Sequence, residues 1–95
     1  MKSAINTDMD AQEMMEEATV SLFPNPANDV VYIAAEGNKI SHVTIIDLSG
    51  KVVKEMVIDL SENVEVDVND LTSGMYTVSV HLSNGSISND MLTIQ

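Results

Sequence analysis

The side chains with the most chemical potential in this sequence are two histidines, His42 and His81, and a run of acidic residues between positions 59 and 70. As metal ligands, the two histidines would have to meet across a sheet and find a third ligand. As catalytic bases, they would need an orienting acid and a nucleophile. The sequence offers neither an evident acid partner nor a Gly-x-Ser-x-Gly elbow. We therefore predict neither a hydrolase nor a histidine metal centre.

The acidic run is the second candidate, because carboxylates bind calcium and paired carboxylates cleave glycosides. Residues 67–74 fail the EF-hand spacing, since Leu71 stands at the third ligand position and no glycine follows at the sixth. A small domain seldom has a cleft to spare, and only two tyrosines and one phenylalanine are available to bind sugar. We interpret the run as a solvated face and predict a protein that is not an enzyme and needs no cofactor. Its acidic members are Asp59, Glu62, Glu65, Asp67 and Asp70, and the amide Asn69 stands among them.

The amino-acid composition limits the classes of molecule that this protein can bind. The 95 residues carry a formal charge of −11, with fifteen acids against four basic side chains. Phosphate groups are bound by basic side chains, so nucleic acid and anionic membranes are excluded as partners. Cysteine is absent, which removes disulfides and thiolate chemistry. No apolar run approaches the roughly 20 residues that span a bilayer, so we predict no direct membrane insertion.

Residues 1–18 differ in kind from the rest of the chain. They alternate methionine with acidic residues and lack the pattern of a strand. We predict an acidic, Met-rich linker. The alternative is a short helix from about Asp10 to Glu17 that docks on another surface, although a helix of that length is marginal alone in water.

From Thr19 onward the apolar residues recur with a period of two, which predicts β-strands separated by turns. Asn84-Gly85 predicts a type I′ hairpin and Ser49-Gly50 a second hairpin. Residues 59–62 are predicted as a loop. In the last strand Ile87 has the opposite parity to Leu92 and Ile94, which suggests a bulge near Asn89-Asp90. The predicted strands cover residues 19–23, 30–35, 40–48, 51–58, 63–68, 75–82 and 86–94.

About seven short strands without intervening helices predict an immunoglobulin-like antiparallel β-sandwich over residues 19–95. The third strand should be central because both its faces are partly apolar. Tyr76 follows a glycine-containing corner, and we expect its hydroxyl to bond to backbone between Val68 and Leu71, as in a tyrosine corner. The first and last strands should be edges, which makes an edge-paired homodimer an expectation.

Three motifs now carry a resemblance. Residues 22–33 read LFPNPANDVVYI, residues 43–53 read VTIIDLSGKVV, and residues 71–78 read LTSGMYTV. In this order and spacing they resemble the type A C-terminal sorting domain of the Bacteroidetes type IX (Por) secretion system. The matched motif positions are Pro24, Asn25, Pro26, Gly50, Lys51, Leu71, Gly74 and Tyr76, and the C-terminal signal strand contributes Leu92 and Ile94.

The resemblance implies a delivery label rather than a catalyst. Domains of this family carry an upstream cargo through the periplasm to the type IX secretion machinery and on to the cell surface or the medium. They are commonly cleaved by a sortase-like peptidase, and the resemblance places this cleavage within residues 1–18. It also implies that the chain is a piece of a longer precursor. The sequence departs from the family in its last strand, where a lysine or two usually precedes the final apolar pair.

A second function is compatible with the same β-sandwich. An accessory β-sandwich could pack on a neighbouring domain or bind carbohydrate without any role in export. Deletion of residues 92–95 separates the two hypotheses, because only a sorting label requires them.

Overall fold

The computed structural model describes residues 19–95, and the predicted linker over residues 1–18 lies outside the described residues. The described chain forms an all-β sandwich, as predicted. The seven strands are β1 (Thr19–Phe23), β2 (Val30–Glu36), β3 (Ile40–Asp47), β4 (Val52–Ser61), β5 (Asn63–Asp67), β6 (Gly74–Leu82) and β7 (Ile87–Ile94).

The strands make two antiparallel sheets. One sheet has the order β1-β2-β5 and the other has the order β4-β3-β6-β7. The central position predicted for the third strand is confirmed, since β3 pairs with both β4 and β6. The first and last strands lie at sheet edges, also as predicted.

The hydrophobic core lies between the two sheets. Residues along a strand alternate between its two faces, and one face of the strand contributes to the core. In β5, Val64 and Val66 are buried while Glu65 and Asp67 are exposed. The β6 pattern is equally regular and buries every second residue from Tyr76 to Leu82. The buried core comprises Ala27, Val31, Ile33, Ala35, Ile40, Val43, Ile45, Val64, Val66, Val68, Tyr76, Val78, Val80, Leu82, Leu92 and Ile94.

The predicted type I′ turn at Asn84-Gly85 is wrong in its type. A type I′ turn needs positive φ at both central residues, whereas Gly85 has φ 92° and Asn84 is not among the residues with positive φ. The N–H of Gly85 donates to the carbonyl of Leu82 at 2.9 Å, and the N–H of Leu82 donates to the carbonyl of Ser86 at 2.9 Å. The connection is therefore a three-residue loop that ends in a left-handed glycine.

The hairpin at Ser49-Gly50 has the same form. The N–H of Gly50 donates to the carbonyl of Asp47 at 3.0 Å, and the N–H of Asp47 donates to the carbonyl of Lys51 at 2.9 Å. Gly50 takes the left-handed position with φ 92°. Both hairpins of the larger sheet thus use one loop type, in which only the third residue must be glycine.

The bulge predicted near Asn89-Asp90 is also wrong. The register between β6 and β7 runs without a shift from Gly74↔Ile94 to His81↔Ile87. The parity conflict is resolved by leaving Ile87 54% exposed on the outer face. Exposing one side chain at the end of an edge strand costs less free energy than interrupting the hydrogen bonds between β6 and β7.

Irregular pairing occurs instead on both sides of β3. The register shifts between Ile40 and His42 against both neighbours of β3, and between Ile45 and Ile46 against β4. At the first shift β4 has three residues, 58–60, where β3 has one, because β4 continues through the segment predicted as a loop and ends at Ser61. Leu60 takes up the extra length with a left-handed backbone, at φ 47°. The predicted loop over residues 59–62 is therefore mostly strand.

Candidate functional site

The motif residues predicted from the sequence converge at one end of the sandwich. This end, called the motif end below, consists of the loops over residues 24–29, 48–51 and 68–73 together with residues 94–95. Backbone bonds tie the first loop to the third loop and to the chain end: the N–H of Val68 donates to the carbonyl of Asp29 at 2.8 Å, and Ala27 bridges to Ile94. Thr19 lies at the opposite end, where it pairs with Glu36.

The first motif holds the last strand in place. The Nδ2 group of Asn25 donates to the carbonyl of Met91 at 3.0 Å, and the N–H of Thr93 donates to Oδ1 of Asn25 at 3.1 Å. One amide side chain thus satisfies a donor and an acceptor on the otherwise open edge of β7. Asn is suited to this because its side chain presents both functions, as a peptide group does.

Ala27 extends the same contact. Its N–H donates to the carbonyl of Thr93 at 2.8 Å, and its carbonyl accepts the N–H of Gln95 at 2.9 Å. The side chain of Ala27 is fully buried. Asn25 and Ala27 therefore make a short parallel addition to the edge of β7, which we call the β7 clamp. The peptide bonds before Pro24 and Pro26 are both cis.

The second motif is organised by a carboxylate that the sequence reasoning did not single out. Oδ1 of Asp47 accepts the hydroxyl of Ser49 at 2.6 Å, the N–H of Ser49 at 2.9 Å and the N–H of Lys51 at 3.0 Å. The Ser49 hydroxyl and the Lys51 N–H hold the pKa of the Asp47 carboxyl below its ordinary value. The Asp-x-Ser-Gly spacing is a recognisable signal for this kind of side-chain-capped turn.

The third motif contains the predicted tyrosine corner, with one correction. The hydroxyl of Tyr76 donates to the carbonyl of Thr72 at 2.5 Å and lies 3.1 Å from its Oγ1. The partner is therefore one residue beyond the predicted range of Val68 to Leu71, because that segment makes its own turn, in which the N–H of Leu71 donates to the carbonyl of Val68. Tyr76 is 5% exposed and anchors the corner to the core.

Gly74 begins β6 at this corner. Its φ of 149° is a conformation that L side chains rarely adopt, and no neighbouring atom would crowd a Cβ there. The backbone conformation, rather than a close approach, accounts for glycine at this position. Leu71 is half-buried and packs against the core.

The second and third motifs line one open groove of about 630 Å³. Its walls carry apolar side chains that face solvent, with Leu48 73% exposed and Val52 and Met75 about half exposed. An ion pair between Lys54 and Asp70, with Nζ and Oδ1 3.2 Å apart, joins β4 to the corner. The lining therefore combines solvent-facing apolar side chains with the capped Asp47 turn and the tyrosine corner.

The side chains of the two histidines lie next to each other, although the sequence predicts no common site for them. They pair directly across β3 and β6, with ring centroids 4.9 Å apart, and Nε2 of His42 lies 2.9 Å from Oε2 of Glu55. The sequence offers no evident acid partner for either histidine, whereas the structure supplies one for His42, since Glu55 lies on the paired strand β4. Among residues 19–95 no cluster of three or more such side chains is arranged to hold a metal ion.

Comparison with known proteins identifies the class of this domain. A family model described as a secretion system C-terminal sorting domain matches residues 21–95. The chain belongs to this family, and it is a C-terminal sorting signal of type IX secretion. Sorting-signal domains of this family are in general not catalytic.

The fold has a counterpart among solved structures. The chain is similar to the crystal structure of CopC from Methylosinus trichosporium OB3b, with a TM-score of 0.53 and 20% sequence identity over 83% of this chain and 94% of that chain. At this identity the likeness concerns the fold alone. No curated protein sequence matches the chain significantly. Within the described range no helix is long and apolar enough to cross a membrane.

Proposed function

We propose that the type IX machinery recognises the motif end of the folded domain, and that the motif residues act by holding this end in shape. The observation that carries the proposal is the β7 clamp, which joins the first motif to the signal strand containing Leu92 and Ile94. Pro24, Pro26, Gly50 and the corner residues would then be architectural. The surface that is read would be the groove and its exposed rim.

The rim has the properties of a recognised surface. Leu48, Val52 and Met75 expose apolar area beside Lys51, in a domain whose remaining surface is mainly acidic. Exposed apolar groups grouped around a concave site are typical of protein-binding surfaces. The motif end also lies opposite Thr19, so cargo attached upstream would leave this end accessible.

The proposal extends to the route and its processing. The domain would act without enzymatic activity of its own. Cargo would be carried through the periplasm, and a sortase-like peptidase would cleave within residues 1–18, the segment proposed as a linker to a sandwich over residues 19–95. The edges of β1 and of the first half of β7 leave backbone groups open to pairing, which supports an edge-paired homodimer in isolation. Light scattering that shows only monomer across a range of concentrations would contradict the dimer.

Export of a fused reporter tests the function. Deletion of residues 92–95 should abolish export, whereas an accessory module without an export role predicts normal export. Rim variants Leu48→Ser and Met75→Ser should reduce export while the domain remains folded by circular dichroism. Val57→Ser is the matched control, because Val57 is 87% exposed but lies away from the groove. Equal export by rim and control variants would exclude recognition at the rim.

A further inference from the structure

The outer face of the smaller sheet carries an exposed aromatic pair that the motif end does not use. Phe23 and Tyr32 pair across β1 and β2, and their rings stack with centroids 5.8 Å apart and an interplanar angle of 25°. Phe23 is 50% exposed and Tyr32 is 43% exposed. An aromatic pair that stacks on itself yet keeps half its surface in water presents a ring face to a partner.

Carboxylates border this pair. Glu65 lies directly opposite Tyr32 on β5, and Asp67 follows on the same side of that strand. None of the strands β1, β2 and β5 carries a lysine. Within the described part of the chain, neither ion pair involves Glu65. The face therefore combines exposed π surface with negative charge that no cation of its own sheet neutralises.

We propose that Phe23, Tyr32 and Glu65 form a docking surface for an arginine-containing, basic segment of a partner protein. A guanidinium group stacks on an aromatic face and at the same time donates paired hydrogen bonds to a carboxylate. The row Phe23–Tyr32–Glu65 places these two functions on neighbouring strands, about 5 Å apart by the ordinary strand spacing. This surface is separate from the groove and does not depend on the groove being recognised.

Charge decides between the available occupants. A second copy of this chain would bring another formal charge of −11 and no arginine, so it is a poor complement to this face. A basic segment gains both from the local carboxylates and from the net charge of the domain. Neutral carbohydrate would use the rings alone and would be indifferent to Glu65.

Titration with a short peptide tests the surface. The probe is a capped Gly-Arg-Gly-Arg-Gly peptide, and its partner probe has citrulline, the neutral isostere, in place of arginine. Binding to the whole chain is followed by NMR shifts of the Phe23 and Tyr32 rings. We expect the arginine peptide to bind and the citrulline peptide to bind at least about threefold more weakly, with the difference shrinking as salt is raised.

Variants distinguish a site from general attraction to an acidic protein. Glu65→Gln and Tyr32→Ser should each weaken binding about three- to fivefold, whereas Tyr32→Phe keeps the ring and should stay within about twofold. Asp59→Asn, on exposed β4 in the other sheet, removes one charge as Glu65→Gln does and should leave binding unchanged. Equal losses from Asp59→Asn and Glu65→Gln would overturn the proposal in favour of net charge. Binding of a neutral oligosaccharide that Glu65→Gln leaves intact would overturn it in favour of a sugar surface.

Discussion

Replacing Asn25 by alanine tests whether the β7 clamp stabilises the domain. The substitution removes one donor and one acceptor that bind backbone groups of Met91 and Thr93. Each hydrogen bond contributes about 0.5–1.5 kcal/mol net, and water reaches this exposed edge and replaces part of the loss. We therefore expect the free energy of unfolding to fall by about 1–2 kcal/mol. With a urea m value of about 1 kcal/mol/M, the midpoint should drop by about 1–2 M.

Hydrogen exchange locates the same effect at single amides. The N–H of Thr93 points outward to Asn25, whereas the neighbouring amide of Leu92 faces β6 within the ladder. Asn25→Ala should therefore accelerate exchange at Thr93 more than at Leu92.

Asn28→Ala is the matched control for Asn25→Ala. Asn28 lies three residues further along the same exposed loop, and no described hydrogen bond involves its side chain. Its unfolding midpoint should equal that of the unmodified protein. Equal destabilisation by the two alanine variants, or unchanged protection at Thr93, would refute the clamp.

Three further predictions concern single residues. Because the folded state lowers the pKa of Asp47, its carboxylate adds stability at neutral pH that is lost as the pH falls below about 4, so the stability advantage over Asp47→Asn should shrink there in urea titrations. Tyr76→Phe removes the hydroxyl bonded to the corner and should lower the free energy of unfolding by about 1–2 kcal/mol. Leu60→Gly relieves a left-handed leucine and should leave thermal stability equal or higher, whereas Val57→Gly, on the same strand, should lower it by about 1 kcal/mol.

Each of these has its own control or contrary outcome. Ser49→Ala removes the hydroxyl that contributes most to the low pKa of Asp47, so an NMR titration should find that pKa raised. An unchanged value would contradict the assignment. Tyr32→Phe changes an exposed ring and should leave stability unaltered; a loss as large as that of Tyr76→Phe would contradict the corner. If Leu60→Gly destabilises as much as Val57→Gly, the left-handed backbone stores no strain.

Strand positions could be predicted because alternation is a strong local signal. A half-buried strand is predicted from the alternation of Val64, Val66 and Val68 alone, without reference to any other part of the chain. The same holds for Tyr76 and the regular pattern that follows it. The sandwich and its central third strand follow from counting such segments and asking which have two apolar faces.

The errors lie where one or two dihedral angles decide the outcome. The sequence Asn84-Gly85 suits two hairpin loops, and only the backbone of Asn84 distinguishes them. Nothing in the sequence indicates that Leu60 adopts a left-handed conformation or that β4 extends through it. The parity conflict at Ile87 had two solutions, and an intact ladder with one exposed side chain prevailed over a bulge.

The sequence predicted the residues of the candidate site but not their arrangement in space. The side chain of Asn25 forms hydrogen bonds with backbone groups 66 and 68 residues away, and no local sequence pattern predicts contacts over that distance. Glu55 likewise reaches His42 only because β3 and β4 pair. The sequence motifs therefore predicted candidate residues, while the convergence of these residues on one end depended on the topology.

The β7 clamp also decides between two modes of recognition of the signal strand. If the machinery captures β7 as a free extended strand, four hydrogen bonds from Asn25 and Ala27 oppose it. Asn25→Ala would then leave reporter export unchanged or increase it. If the machinery reads the folded motif end, the same variant loosens the surface that is read and should lower export, most strongly near the temperature at which it begins to unfold. Asn28→Ala should match the unmodified domain in either case, so the sign of the Asn25→Ala effect identifies whether the locked or the released strand is the signal.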